Sequence, residues 1–295
     1  MPLQKLTKFS LLDALVALLM LAGAVGLGYR LEAGLHYEWD WGIVPQYLFR
    51  YDTEAGRWVA NVLIEGLLTT VRLSFWATIL ATLFGTAVGL LRISGSVFRR
   101  LTGATYVEII RNLPPLVLVF IFYYFIGDQI LPALGIDRLY GQLPETGQTL
   151  LRWLFAPPAR LTSFLSAVLT LALFEGAYIA EIVRAGIQSI EKGQWEAADA
   201  IGLSRFQRMR RVIFPQAMPR ILPPLAGQFI STIKDSAIVS VISVQELTFQ
   251  GMELMASTYR TFEVWITITG LYFLLTMSCS LAVGRLELRL RRKFA

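Results

Sequence analysis

Six apolar runs, each about as long as a membrane is thick, alternate with charged segments along this chain of 295 residues. They cover residues 11–29, 62–91, 104–127, 162–187, 225–245 and 262–284. A helix of roughly 20 apolar residues crosses a bilayer. Hydrocarbon offers no partner to backbone N–H and C=O groups, so each run must satisfy them internally. The expected fold is all-α: a polytopic transmembrane helix bundle with about six spans.

The composition fits. Hydrophobic residues make up 55% of the chain and charged residues 16%, against about 25% charged in soluble domains. A single Cys, Cys279, and a single His, His36, exclude an intrachain disulfide and a Cys/His metal cage. There is no G-x-x-x-x-G-K-[ST] loop to cradle ATP phosphates.

Along the chain, Asp13 and the lack of a small-x-small exit favour an uncleaved first span over a removed signal. Residues 31–61 are polar and aromatic, and Trp39, Trp41 and Trp58 suit a membrane interface. In the second run Ala81, Gly85 and Gly89 recur every four residues, which permits close helix packing. Pro114-Pro115 interrupts the third run. Residues 128–161 read as an extended loop, and the apolar piece at Trp153-Leu154-Phe155 is too short to cross. Pro219, Pro223 and Pro224 lead into an unusually polar fifth run. No internal repeat is visible.

Charge placement orients the spans. With the N-terminus in the cytoplasm, 17 of the 27 Lys and Arg fall on the inner side, Lys5, Lys8 and the tail from Arg285 among them. Only seven fall outside. This bias places both termini in the cytoplasm. It also accounts for the net charge of +6 without nucleic acid.

The longest charged passage, Glu196 to Pro215 (EAADAIGLSRFQRMRRVIFP), reads as two short helices. Glu196 is expected in the opening turn of the first, where a negative charge suits the helix dipole. Gly202 suits the left-handed position that ends it. Ser204 and Gln207 read as a capping box, and Pro215 as the stop of the second helix. Ala197 and Ala198 leave a smooth face, and Arg205, Arg208, Arg210 and Arg211 a basic one. The readings weighed are a solvated connector, a DNA-reading helix-turn-helix, and a docking element. The DNA reading fails because two membrane spans flank the passage and leave no room for a supporting third helix.

The passage resembles the EAA loop of permease subunits in ATP-binding-cassette importers: E-A-A, three residues, Gly, nine residues, then I-x-L-P. Glu196-Ala197-Ala198, Gly202 and Pro215 match at that spacing, while Val212 and Phe214 replace Ile and Leu. EGLLTTVRLS at 65–74, YVEIIRNLPPL at 106–116, GAYIAEIVRAGIQSIEKGQ at 176–194 and STIKDSAIVSVISVQEL at 231–247 resemble the polar amino-acid branch of these permeases (His/Glu/Gln/Arg/opine type, type I). The resemblance covers roughly residues 60–285. It implies a five-span core preceded by one added span. The corresponding segments are 1–30 (inner segment and first span), 31–61 (periplasmic), 62–287 (core, with a cytoplasmic coupling loop at 190–222) and 288–295 (basic tail).

The resemblance also implies partners: a cytoplasmic ATPase dimer that binds ATP and Mg, a second permease subunit and a periplasmic amino-acid-binding protein. This chain would form half of the pathway in a bacterial inner membrane, surrounded by lipid, and would need no cofactor and perform no catalysis itself. Glu196, Ala197, Ala198, Gly202, Arg205 and Pro215 would couple it to the ATPase. Trp39-Asp40-Trp41 resembles subunits handling glutamate and aspartate, so acidic amino acids are included among the expected polar substrates.

Charges inside spans are functional candidates by default. Glu108 with Arg111, and Glu181 with Arg184, are each three residues apart on one helical face. They read as ion pairs, either structural or part of an inner gate. Glu175 and Lys234 fall near mid-span and could neutralise each other. Alternatively, with Asp235, Ser236 and Arg72 they could line a path for a zwitterion, Lys234 meeting a carboxylate and Glu175 or Asp235 an ammonium. The competing function class is a stand-alone secondary transporter or channel, which often shows internal repeats. A membrane enzyme lacks any supporting motif.

The orientation is testable. Reporter fusions at the C-terminal tail and within 128–161 should report opposite compartments, the tail cytoplasmic. A cytoplasmic signal from 128–161 would invert the topology.

Overall fold

The structure, a computed structural model, describes residues 11–34, 37–54 and 56–294. Lys5, Lys8 and His36 lie outside the described residues, as do the side chains of the basic tail beyond Arg285. Two compact units divide the chain, Met1–Trp41 and Gly42–Ala295. The first contains one long helix, α1 (Leu11–Gly34), whose apolar residues Leu11, Leu15 and Leu18 are exposed, as suits a helix facing lipid.

The second unit opens with a short helix, Val44–Leu48, and a hairpin, β1 (Phe49–Asp52) and β2 (Arg57–Ala60). Within residues 31–61 the chain from Gly42 onward belongs to the second unit. The cause is local packing. The Asn61 amide donates to the Leu48 carbonyl (2.9 Å), and Tyr47 and Leu48 pack beside Leu63, Leu247 and Val264.

The body is built on α2 (Val62–Arg92) and α6 (Pro158–Gln188). Small residues let them touch backbone to backbone. A Cβ on Gly85 would sit 2.6 Å from the Gly176 carbonyl oxygen, and one on Gly89 2.8 Å from that of Ala180. The small residues spaced four apart in the second run thus face α6, whose Ala167, Leu171, Ala177 and Ile179 are fully buried.

Between these helices the chain folds as α3 (Val97–Asn112) and α4 (Pro115–Phe125), with a 116° bend between them. The run at 104–127 is not one straight crossing. Leu113 precedes a proline and is pushed out of the helical region. Leu113 (ψ 149°) and Pro114 (ψ 129°) are accordingly extended. The expected extended loop at 128–161 is mostly helical instead, with a π turn at Ile126–Ile130, a short helix Ile136–Gly141 and α5 (Glu145–Leu154). Trp76 Nε1 donates to the Leu154 carbonyl (3.0 Å), and its ring stacks on Phe155 at 4.7 Å.

After α6 come α7 (Lys192–Ala200) and α8 (Arg205–Arg208), a π turn at Met209–Ile213, then α9 (Phe214–Asp235), which ends in a 3₁₀ turn, Ser236–Ile242. Pro215 does not stop a helix; it occupies the first turn of α9. A proline ring collides with the carbonyl four residues earlier, and the wider π turn just before it relieves that collision. The helical run Arg205–Ile242 is thus continuous enough to count as one span. Finally α10 (Leu247–Thr258) packs against α2 and α11 (Thr261–Phe294). Among the described residues, five helices are long and apolar enough to cross a membrane, or six counting the bent α3–α4 pair.

Gly85→Val should destabilise the fold by about 2–3 kcal/mol through overpacking, because its Cβ would meet backbone that cannot rotate away. Gly270→Val, with open space around its Cβ, is the control. Equal thermal unfolding midpoints of the two variants in detergent would contradict this packing account.

Candidate functional site

Three polar constellations stand out. The first is the elbow between α7 and α8. Gly202 sits in the left-handed region (φ +74°). Its amide donates to the Asp199 carbonyl (3.0 Å), and that of Leu203 to Ala198 (3.2 Å). This pairing closes the end of α7 by satisfying two of its free carbonyls. The capping box at Ser204 and Gln207 forms as the sequence predicts. Glu196, however, is not in the opening turn, because α7 begins at Lys192; it is exposed near mid-helix. Ala197 is exposed too, whereas Ala198 is buried within the chain's own body.

Two large apolar side chains flank Gly202 and face outward, Ile201 at 74% and Phe206 at 70% exposure. Arg208 pairs with Asp199 and stacks over Trp195 at 5.3 Å, bracing α7 against α8. Exposed Arg205 lines a groove of about 650 Å³ with Arg99 and Trp195. Sequence reasoning missed Ile201 and Phe206. Their adjacency to the turn glycine was the available signal.

The second constellation lies inside the spans. Glu175 is fully buried, and its Oε2 accepts from Gln228 Nε2 at 2.6 Å. Oε1 has no hydrogen-bond donor, and the Asp235 carboxyl lies beside it. No ion pair joins Glu175 to Lys234 among the described residues. The mutual neutralisation considered from sequence is therefore not formed, since Gln228 takes that place. Lys234 and Asp235 are exposed, and Ser236 is buried, donating to the Ile233 carbonyl (2.8 Å). Arg72 donates to the Phe155 carbonyl (3.1 Å).

The expected charge pairs divide. Glu181 pairs with Arg184 and also with Arg92, at the end of α2. Glu108 and Arg111 do not pair with each other. Glu108 accepts from Asn112 (3.2 Å), and Arg111 lies over the Tyr178 ring (5.6 Å). Spacing alone placed them on one face but could not anticipate nearer partners one turn on or across the helix boundary.

The third constellation was not anticipated. Glu246 is fully buried at the start of α10. Its Oε1 accepts from the Phe249 amide (2.8 Å), and its Oε2 from Tyr272 (2.7 Å) and Thr70 (3.2 Å). Thr70 in turn accepts from the Leu247 amide (3.1 Å). One carboxyl thus ties α2, α10 and α11 together. Burial pushes it above the ordinary carboxylate range, against the opposing pull of the Thr248 and Phe249 amides, Tyr272 and Thr70.

Long apolar helices, buried carboxyls within them and a polar elbow outside them mark a polytopic membrane protein. The chain belongs to the family described as the binding-protein-dependent transport system inner membrane component, whose model matches residues 81–292. It is a multi-pass inner-membrane permease of the ABC transporter class. It is 35% identical over 234 residues (78% of this chain, 93% of the relative) to the glutamine transport system permease protein GlnP of Escherichia coli (strain K12). It is 31% identical over 255 residues (86% and 96%) to the glutamate/aspartate import permease protein GltJ of the same organism. A crystal structure of an amino acid ABC transporter with histidines matches with a TM-score of 0.61 and 34% identity, covering 77% of this chain and 94% of that one.

Because the folded value of Glu246 is raised, its contribution to stability is full below the ordinary carboxylate value and is lost as pH rises through the raised one. Thermal stability of the wild type in detergent should fall across that window, and Glu246→Gln should flatten the fall. Identical slopes for the two proteins would remove Glu246 as the cause.

Proposed function

We propose that this chain forms half of the translocation pathway of an ATP-driven importer of polar amino acids, acidic ones included. A second permease subunit, the same chain or a paralogue, completes the pathway. A cytoplasmic ATPase dimer binds ATP and Mg and performs the hydrolysis. A periplasmic binding protein delivers substrate, and both termini of this chain lie in the cytoplasm. The family membership, and what GlnP and GltJ carry by name, support this reading.

The observation that carries it is the elbow. Ile201 and Phe206 project from either side of Gly202, largely uncovered by the described residues. Large apolar side chains on a short, braced turn make a plug for a groove in a partner. Glu196 and Arg205 supply charge at its rim. Pro215, at the start of α9, joins the elbow to a span. Inside the bundle, exposed Lys234 and Asp235 at mid-span are costly against lipid. One of them suits a water-filled path closed by the second subunit, since adjacent helical residues point about 100° apart: Lys234 toward a substrate carboxylate, or Asp235, with Glu175, toward its ammonium, with buried Ser236 and half-buried Arg72 at the margins. Glu181 with Arg92 and Arg184, and Glu108 with Arg111, fit supports near an inner gate.

Gly202→Val and Glu196→Lys test the coupling. Neither position touches a span. Gly202 has open space around it, so valine there costs only its left-handed backbone, about 1–2 kcal/mol. Both variants should insert normally. They should also retain the ATPase on purification about tenfold less well, or uncouple hydrolysis from uptake, since about 1.4 kcal/mol of lost docking is tenfold in affinity. Full retention together with full uptake in both would reduce the elbow to a connector.

A further inference from the structure

At the end of the bundle away from the elbow, a pocket of about 90 Å³ opens between α2, the start of α6 and the loop after the 3₁₀ turn. Its polar lining comprises Thr69, Arg72, Arg160, Ser163, Ser243 and Gln245, with Phe155 as an apolar wall. Space of that size admits a small polar group together with several waters.

Its electrostatics are one-sided. Arg72 lies ten residues into a span that starts at Val62, and the hydrogen bond it makes goes to a neutral carbonyl. No ion pair among the described residues involves Arg72 or Arg160. The nearest carboxylate acting on Arg72 is Glu65, two turns back on the same helix, and it is exposed. The 31-residue helix α6 begins at Pro158, next to Pro157 in the pocket wall, and its N-terminal partial positive charge adds to the two guanidiniums. An intramembrane cation left without a counter-ion is expensive. An anionic group supplied from outside removes that expense.

We infer that this pocket binds the side-chain carboxylate of an acidic amino acid on its way into the pathway, a step that rests on the importer reading above. The choice of carboxylate follows from the lining. An α-carboxylate carries an ammonium on the same carbon, which would be forced against two guanidiniums with no acid in the wall to receive it. A side-chain carboxylate stands one methylene further from the ammonium in aspartate and two in glutamate, so it enters ahead of the ammonium. A guanidinium fork matches a carboxylate in two parallel hydrogen bonds, and Ser163 and Gln245 can complete its coordination.

The test uses the complete transporter, permease with its ATPase and binding protein, in vesicles. Uptake of glutamate, aspartate and glutamine is measured for wild type, Arg160→Gln, Arg160→Lys and Arg72→Gln. Arg160 is exposed, so its variants should fold even if the Arg72 variant does not. Because the binding protein is unchanged, any shift in the ratio between substrates comes from the permease. Wild type should favour the two acids. Arg160→Gln should raise the KM for both acids about tenfold relative to glutamine, the scale of one lost charge-assisted contact, and Arg160→Lys should recover part of the loss. Equal loss for all three substrates, or no loss for any, would overturn the pocket's role. A wild type that moves glutamine in preference to the acids would overturn the carboxylate assignment while leaving the importer intact. A wild type that moves no amino acid, with its ATPase bound, would overturn the importer reading and this inference with it.

Discussion

The bundle depends on the contact of α2 with α6, made through glycine and alanine. In lipid there is no hydrophobic force to press two apolar helices together, so association rests on van der Waals contact over a long, close interface. Gly85 and Gly89 give that closeness, bringing α2 against the carbonyls of Gly176 and Ala180. The same approach brings Arg92 at the end of α2 within reach of Glu181 on α6. It also sets α2 beside the loop at Phe155, where Arg72 and Trp76 find carbonyl partners.

Two kinds of polar group then use this frame. Some are closed on themselves. Glu246 is met by donors from α2, α10 and α11, and a buried carboxyl so surrounded specifies one arrangement of three helices. Others are left open. One Glu175 oxygen has no donor, and Lys234 and Asp235 lie exposed within a span. Unsatisfied polar groups in a membrane are expensive. In the importer proposed above, substrate, water or a second subunit would meet them.

The parts legible in the sequence were those set by periodicity and local chemistry. Apolar length gave the spans, and small residues four apart marked a close-packing face on α2, though not its partner α6. Ser204, Gln207 and Gly202 gave the elbow with its cap and turn. Proline was read less well. Pro114-Pro115 was recognised as a break but not as a 116° bend, and Pro215 was read as a stop although a π turn admits it. Such outcomes depend on how neighbouring turns rearrange, which no single residue states. Long-range polar partners were invisible in the same way. Gln228 answers Glu175, Arg92 joins Glu181, and Tyr272 reaches Glu246, each joined by tertiary packing rather than by spacing. The hairpin at 49–60 carried a turn signal in Asp52 to Gly56, but the aromatic content around it drew attention to the membrane interface instead.

The continuity of the run from Arg205 to Ile242 links the two ends of the proposed mechanism. Its first turns belong to the elbow, and its last residues are Lys234, Asp235 and the 3₁₀ turn, beside Glu175. A helix transmits displacement along its axis with little loss, whereas a loop absorbs it. A push at Ile201 and Phe206 would therefore arrive at the carboxyls as movement of α9 against α6. The π turn at Met209–Ile213 and the prolines at 219, 223 and 224 remove or loosen backbone hydrogen bonds in the half of the run nearer the elbow. Bending is easiest there. The stretch from Leu225 to Asp235, which carries Gln228, is free of proline and moves as one piece. The Gln228–Glu175 hydrogen bond, which spans α9 and α6, is then the first intramembrane polar contact that such a movement would lengthen.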